Sequence, residues 1–63
     1  MDIRKWRQDE EKSQEVVAEL LGVTQAYFSK IELGRRRAGP RLARRIERIT
    51  KGAVTVADLR GEP

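Results

Sequence analysis

The residues best equipped to touch another molecule lie in "GVTQAYFSKIELGRRR", Gly22 to Arg37. Gln25 carries a carboxamide, which donates and accepts at once and can bond N6 and N7 of one adenine together. Lys30 brings a cation that reaches guanine or a phosphate. Ala26 and Ser29 are small and allow close approach to base edges. Arg35, Arg36 and Arg37 follow directly, and their planar guanidinium forks match phosphate oxygens. The same arginine run on a solvated face would need no partner, so its meaning depends on what stands beside it. Tyr27 sits between the two groups, with core edge and phosphate contact both open to it.

A second collection of polar residues suggests different chemistry. Asp9, Glu10 and Glu11, with Glu15 and Glu19, supply carboxylates of the kind used for metal binding or acid–base catalysis. Neither role is assigned to them. A chain of 63 residues offers no deep cleft, and these acids fall on solvent faces of short helices. Without histidine or cysteine there is no ordinary zinc site and no disulfide. The expectation is a protein with no metal, no cofactor and no enzymatic activity.

Charge separates the two groups further. Net charge is +4, yet Met1 to Thr24 holds four bases and six acids. Arg35 to Lys51 holds eight bases and one acid. So strong a local excess suits a polyanion. The acids would be repelled by nucleic acid and should lie away from it. No apolar run is long enough to span a bilayer, and the N-terminus lacks the apolar stretch of a secretory signal. The expected location is the cytoplasm, with no membrane partner.

The elements that must position these residues are helices, because apolar residues recur at helical spacing and nowhere alternate with period two. The expected fold is all-α, a bundle of four to five short helices at about 2–11, 13–21, 24–33 and 40–51, with a short turn at 55–59. Asp2, Ser13 and Thr24 are suited to cap the first three. Gly22 and Gly34 are suited to end the second and third, and Gly52 the fourth. Pro40 fits a first helical position, where its missing N–H costs nothing. Leu42, Ala43, Ile46 and Ile49 form an apolar stripe, with Arg41, Arg44, Arg45 and Arg48 mainly outside it. Thr55 and Asp58 have capping-box spacing, against which a short extended piece at 53–56 competes.

A helical wheel sorts the third helix. At about 100° per residue, Phe28 and Ile31 fall together and face inward. Gln25, Ala26, Ser29, Lys30 and Leu33 fall on the other side. This outward face is mixed and hydrogen-bonding, as a helix entering the major groove requires. The two short helices joined by "LLGVTQ" have helix-turn-helix proportions, with Val23 tucked between them.

The ordered set Ser13-Gln14, Val17-Ala18, Leu21-Gly22-Val23, Thr24-Gln25 and Glu32-x-Gly34 resembles the lambda-repressor and Cro type of helix-turn-helix, the xenobiotic-response-element-like family. The resemblance covers roughly residues 3–49. It implies that Gln14 contacts a phosphate and supports Gln25, and that Gln25, Ala26, Ser29 and Lys30 face bases. It further implies backbone or minor-groove contacts from Thr24, Tyr27, Arg35, Arg36 and Arg37. The start of the fourth helix, at Pro40 and Arg41, would attract phosphate through its free amides. Arg7 and Glu32 match an ion pair between the first and third helices of some relatives. Relatives this small pair through the end of the chain or the fourth helix, which nominates Val54, Val56 and Leu59 for dimerisation.

Two departures from the family pattern matter. Relatives usually close the first helix with Gly-Leu, whereas this chain has Glu11-Lys12. Val16 and Leu20 are apolar where relatives often carry charge, and either pack against Trp6 or form an exposed patch for a partner. The expected whole is one helix-turn-helix domain over 1–63, with 53–63 as a tail used in dimerisation. The function implied is a sequence-specific regulator of transcription on double-stranded DNA, most simply a repressor dimer on an inverted repeat. An antitoxin or a restriction-modification controller, each acting on its own promoter, is a close variant with a protein partner. A protein-interaction module that no longer reads DNA is the reading from another class. RNA binding lacks a visible aromatic stacking platform. No small-molecule effector is expected.

Overall fold

The helices begin on the side chains the sequence provides. Asp2 Oδ1 accepts from the amide of Lys5 at 2.8 Å, Ser13 Oγ from Val16 at 3.1 Å, and Thr24 Oγ1 from Tyr27 at 3.1 Å. The computed structural model describes residues 1–59. Within them run α1 (Ile3–Asp9), α2 (Gln14–Leu21), α3 (Gln25–Glu32), α4 (Pro40–Ile49) and α5 (Val56–Leu59), with no strand among the described residues. The last residues of the expected tail, 60–63, lie outside the described residues. Pro40 opens α4 without a side-chain cap. Helix α5 replaces the competing extended piece. Thr55 and Asp58 bond each other's amides reciprocally, at 2.9 and 3.1 Å. The Thr55 amide is the first cause holding the Asp58 carboxyl below its ordinary range, followed by the terminal amino group and the Thr55 hydroxyl.

The first four helices close alike. A backbone N–H beyond the helix reaches a carbonyl five residues back: Lys12 to Arg7, Val23 to Ala18, Arg35 to Lys30 and Gly52 to Glu47. This closure places one residue in the left-handed region. Those residues are Glu11 (φ 55°), Gly22 (φ 73°), Gly34 (φ 74°) and Lys51 (φ 54°). The expected ends shift accordingly. Helix α1 stops at Asp9, short of Glu11, because Glu11 itself makes the turn. Helix α4 stops at Ile49, and Lys51 (φ 54°) takes the left-handed place directly before Gly52, which is left-handed too (φ 84°).

A side chain in that conformation costs about 1–2 kcal/mol, partly offset because glycine loses more freedom on folding. Glu11→Gly should therefore stabilise the fold by about 0.5–1 kcal/mol and raise Tm by a few degrees. Glu11→Ala keeps the strain and should leave Tm nearly unchanged. Parallel thermal melts of the two variants check this. Equal melting temperatures would remove strain at Glu11 as the explanation.

The core joins Ile3 and Trp6 of α1, Val17, Ala18 and Leu21 of α2, Phe28 of α3, Ile46 of α4 and Val54. Leu42, Ile49 and Leu59 pack against its edge. Thr50 is polar and buried, and its hydroxyl accepts the Val54 amide at 3.1 Å. One open alternative is decided here and one expectation corrected. Val16 and Leu20 remain 45% and 54% exposed and are not core. The inward face of α2 is set by Val17, Ala18 and Leu21, and each of the two side chains lies about 100° round the helix from an inward neighbour. Val54 is 0% exposed, so its side chain is spent on the core and cannot serve a dimer contact. Val56 and Leu59 stay half-buried.

Candidate nucleic-acid interface

Helix α3 is held by its inner face. Phe28 and Ile31 are buried, while Gln25, Ala26 and Lys30 are exposed and Ser29 is half-buried. The outward row therefore offers an amide, a methyl, a hydroxyl and an ammonium along one side of a short helix. Leu33, just past its end, is also exposed, on the side the wheel assigns it.

The turn that angles α3 against α2 depends on Gly22. Its φ of +73° already disfavours any side chain, and a Cβ there would stand 3.4 Å from Arg45 Nη1. Val23 packs against the core between the helices. Arg45 approaches because its Nη1 donates to the Leu21 carbonyl at 2.9 Å. The carbonyls at a helix end lack intrahelical partners, and a cation from α4 satisfies one. Sequence reading placed Arg45 only outside the apolar stripe. The available signal was a C-terminus on α2 with no basic residue of its own in the last turn.

The far end of α3 is fixed by a buried carboxylate. The Glu32 side chain is 2% exposed. Arg7 Nε donates to Oε2 at 2.5 Å and Arg7 Nη2 to Oε1 at 3.3 Å. Gln14 Nε2 donates to the same Oε1 at 2.7 Å. The remaining arm of the Arg7 fork, Nη1, donates to the Lys12 carbonyl at 2.9 Å. One carboxylate thus ties α3 to α1 and to the start of α2.

This geometry gives Gln14 a partner that the sequence did not announce. Its amide nitrogen supports Glu32. The physical reason is burial: an unpaired charge inside the fold costs far more than an exposed amide, which water satisfies. A carboxamide nitrogen has two N–H groups. One is committed to Glu32, which leaves the other for an external oxygen.

The arginine run lies open beyond α3. Arg35, Arg36, Arg37 and, at the head of α4, Arg41 are all exposed. The Arg36 guanidinium carbon stands 5.4 Å from the centroid of the Tyr27 ring, a cation–π distance. Tyr27 is half-buried, and its ring is the platform for this contact. The outward row of α3 and the arginine run are consecutive, one on the helix and one just past it.

The acidic residues form no comparable site. Among the described residues no group of three or more His, Cys, Asp or Glu could hold a metal ion. No described helix is long and apolar enough to cross a membrane.

Comparison with curated proteins and with solved structures gives no match. A protein-family model described as helix-turn-helix matches residues 3–55, which takes in α1 to α4 and the Thr50–Val54 junction. A match over that span, on a fold whose turn, caps and outward row have this geometry, settles the class: the chain belongs to the Cro/C1-type helix-turn-helix family of DNA-binding transcription regulators.

Proposed function

We propose that this regulator is a repressor that binds an inverted-repeat operator as a dimer, with α3 in the major groove. The observation that carries the reading is the division of α3. Phe28 and Ile31 anchor it, and Gln25, Ala26, Ser29 and Lys30 stand outward. In this docking those four residues meet base edges. Gln14, Thr24, Arg35, Arg36, Arg37 and Arg41 meet the backbone or the minor groove beside it. Contacts of this second kind position the protein and supply affinity, while base contacts specify the site. Repression follows from occupancy: a bound dimer covers the promoter. Val56 and Leu59 are the residues at the chain's end with surface left for a second copy.

One observation favours a variant with a protein partner. Val16 and Leu20 lie exposed beside Glu15 and Glu19 on α2. An antitoxin or a controller protein, autoregulating its promoter, would use such a face.

Selection from a random duplex pool tests the main reading. The expected product is a short inverted repeat with half-sites about one helical turn apart. Failure to enrich any sequence at moderate salt would rule out specific reading.

A further inference from the structure

We propose that Tyr27 is a positioning residue for Arg36, holding its guanidinium over the ring so that it meets the DNA backbone already ordered. The proposal rests on the DNA-docking reading above and assigns Tyr27 a role within it.

The geometry has three parts. Tyr27 belongs to the first turn of α3, two residues past Gln25, so its ring moves with the reading row. It is half-buried, so its side chain is less free than one on the open surface. Arg36 is exposed and lies beyond the end of α3, with its guanidinium carbon 5.4 Å from the ring centroid. An exposed arginine in a loop samples many rotamers, and each contact it makes must first order it. A ring beneath the guanidinium removes part of that cost before the duplex arrives. A cation–π contact draws on the charge of the guanidinium and not on its N–H donors, which can still bond phosphate. The ring therefore orders the cation without consuming its donors.

The position explains why the ring matters more than the hydroxyl. Were Tyr27 a phosphate ligand in its own right, the hydroxyl would be the active group and Arg36 incidental. Were it only core edge, neither would matter to DNA. The three roles separate experimentally.

The free protein provides the first measurement. NMR should show Arg36 Cδ protons shifted upfield by the ring current, and the shift should vanish in Tyr27→Leu. Unshifted Arg36 protons in the wild type would overturn the proposal with no DNA present, leaving the docking reading untouched. The second measurement is affinity by fluorescence anisotropy, on the selected operator and on an unrelated duplex, at several salt concentrations. Tyr27→Phe should bind within twofold of wild type. Tyr27→Leu should weaken both duplexes about threefold, the scale of one exposed cation–π contact. Its salt slope should stay near wild type, because the charge remains, whereas Arg36→Ala should lower the slope by about one. In the Arg36→Ala background, Tyr27→Leu should add no further loss.

Two results would overturn the proposal. A Tyr27→Phe loss equal to that of Tyr27→Leu would assign the effect to the hydroxyl. Full additivity of Tyr27→Leu with Arg36→Ala would make the two residues independent. Thermal melts of each variant accompany the binding data, so that a loss from misfolding is recognised. Tyr27→Phe and the wild-type spectrum still decide the matter if Tyr27→Leu is unstable.

Discussion

Glu32→Ala should remove about 3–5 kcal/mol of folding stability, the cost of breaking a buried ion pair from one side. The carboxylate is 2% exposed and receives three hydrogen bonds, two from Arg7 and one from Gln14. Its removal leaves the Arg7 guanidinium part-buried with only the Lys12 carbonyl as a partner. Domains of this size have little to spare. At about 0.05–0.15 kcal/mol per residue a 63-residue chain has about 3–9 kcal/mol, so the loss takes from a third of its stability to all of it. Urea unfolding followed by circular dichroism checks it, with the midpoint of the variant expected far below that of the wild type.

Companion variants separate charge from shape. Arg7→Lys keeps the cation but loses the fork, so its cost should be smaller but clear. The double variant Arg7→Met with Glu32→Leu removes both charges and should regain much of the loss, since apolar pairs of similar volume often replace buried ion pairs without penalty. A Glu32→Ala cost below about 1 kcal/mol, as for exposed pairs, would show that the network does not hold α3.

That network shows where sequence reading succeeds and where it stops. Its partners Arg7 and Glu32 were legible only through the family pattern, because they are far apart in the chain. The bond from Gln14 to Glu32 has no signal in the spacing, because it depends on the burial of a carboxylate 18 residues away. Helix starts were legible because caps are local: Asp2, Ser13 and Thr24 each bond an amide three residues on. Helix ends were legible at Gly22 and Gly34, where glycine announces the left-handed turn. They were missed at Glu11 and Lys51, where the surrounding fold imposes that conformation on residues that disfavour it.

The exposed faces were harder to read than the core. Phe28, Ile46 and the α2 stripe follow from periodicity. Val16 and Leu20 are equally apolar, and only the packing of α2 shows that the bundle has no room for them. Val54 erred in the opposite sense, since a valine near the chain's end looks available until Thr50 draws its amide inward. Arg45 looked like one more basic residue, and its bond to Leu21 depends on how α4 crosses the turn. The outward row of α3 was the most legible part of the site, because one helical wheel settles which side chains share a face.

Gln25→Ala tests that row most directly. On the selected operator it should cost about 1–3 kcal/mol and relax the preference at one base pair, because a bidentate amide–adenine contact both binds and discriminates. The residue is exposed and outside the core, so its melting temperature should stay close to wild type and the loss can be assigned to DNA contact. Arg37→Ala offers the contrast. Arg37 is also exposed, but a phosphate contact should weaken selected and unrelated duplexes alike and lower the salt slope by about one. The pair therefore distinguishes reading from gripping: one variant should change which sequence is preferred, the other how strongly all sequences are held. Quantitative binding to a panel of single-base operator variants, repeated at several salt concentrations, measures both. If Gln25→Ala weakened every duplex equally, its amide would be a backbone contact and α3 would enter the groove at another angle. If it left affinity and preference intact, the outward face of α3 would not be the reading surface, and the exposed α2 face at Val16 and Leu20 would become the stronger claim on function.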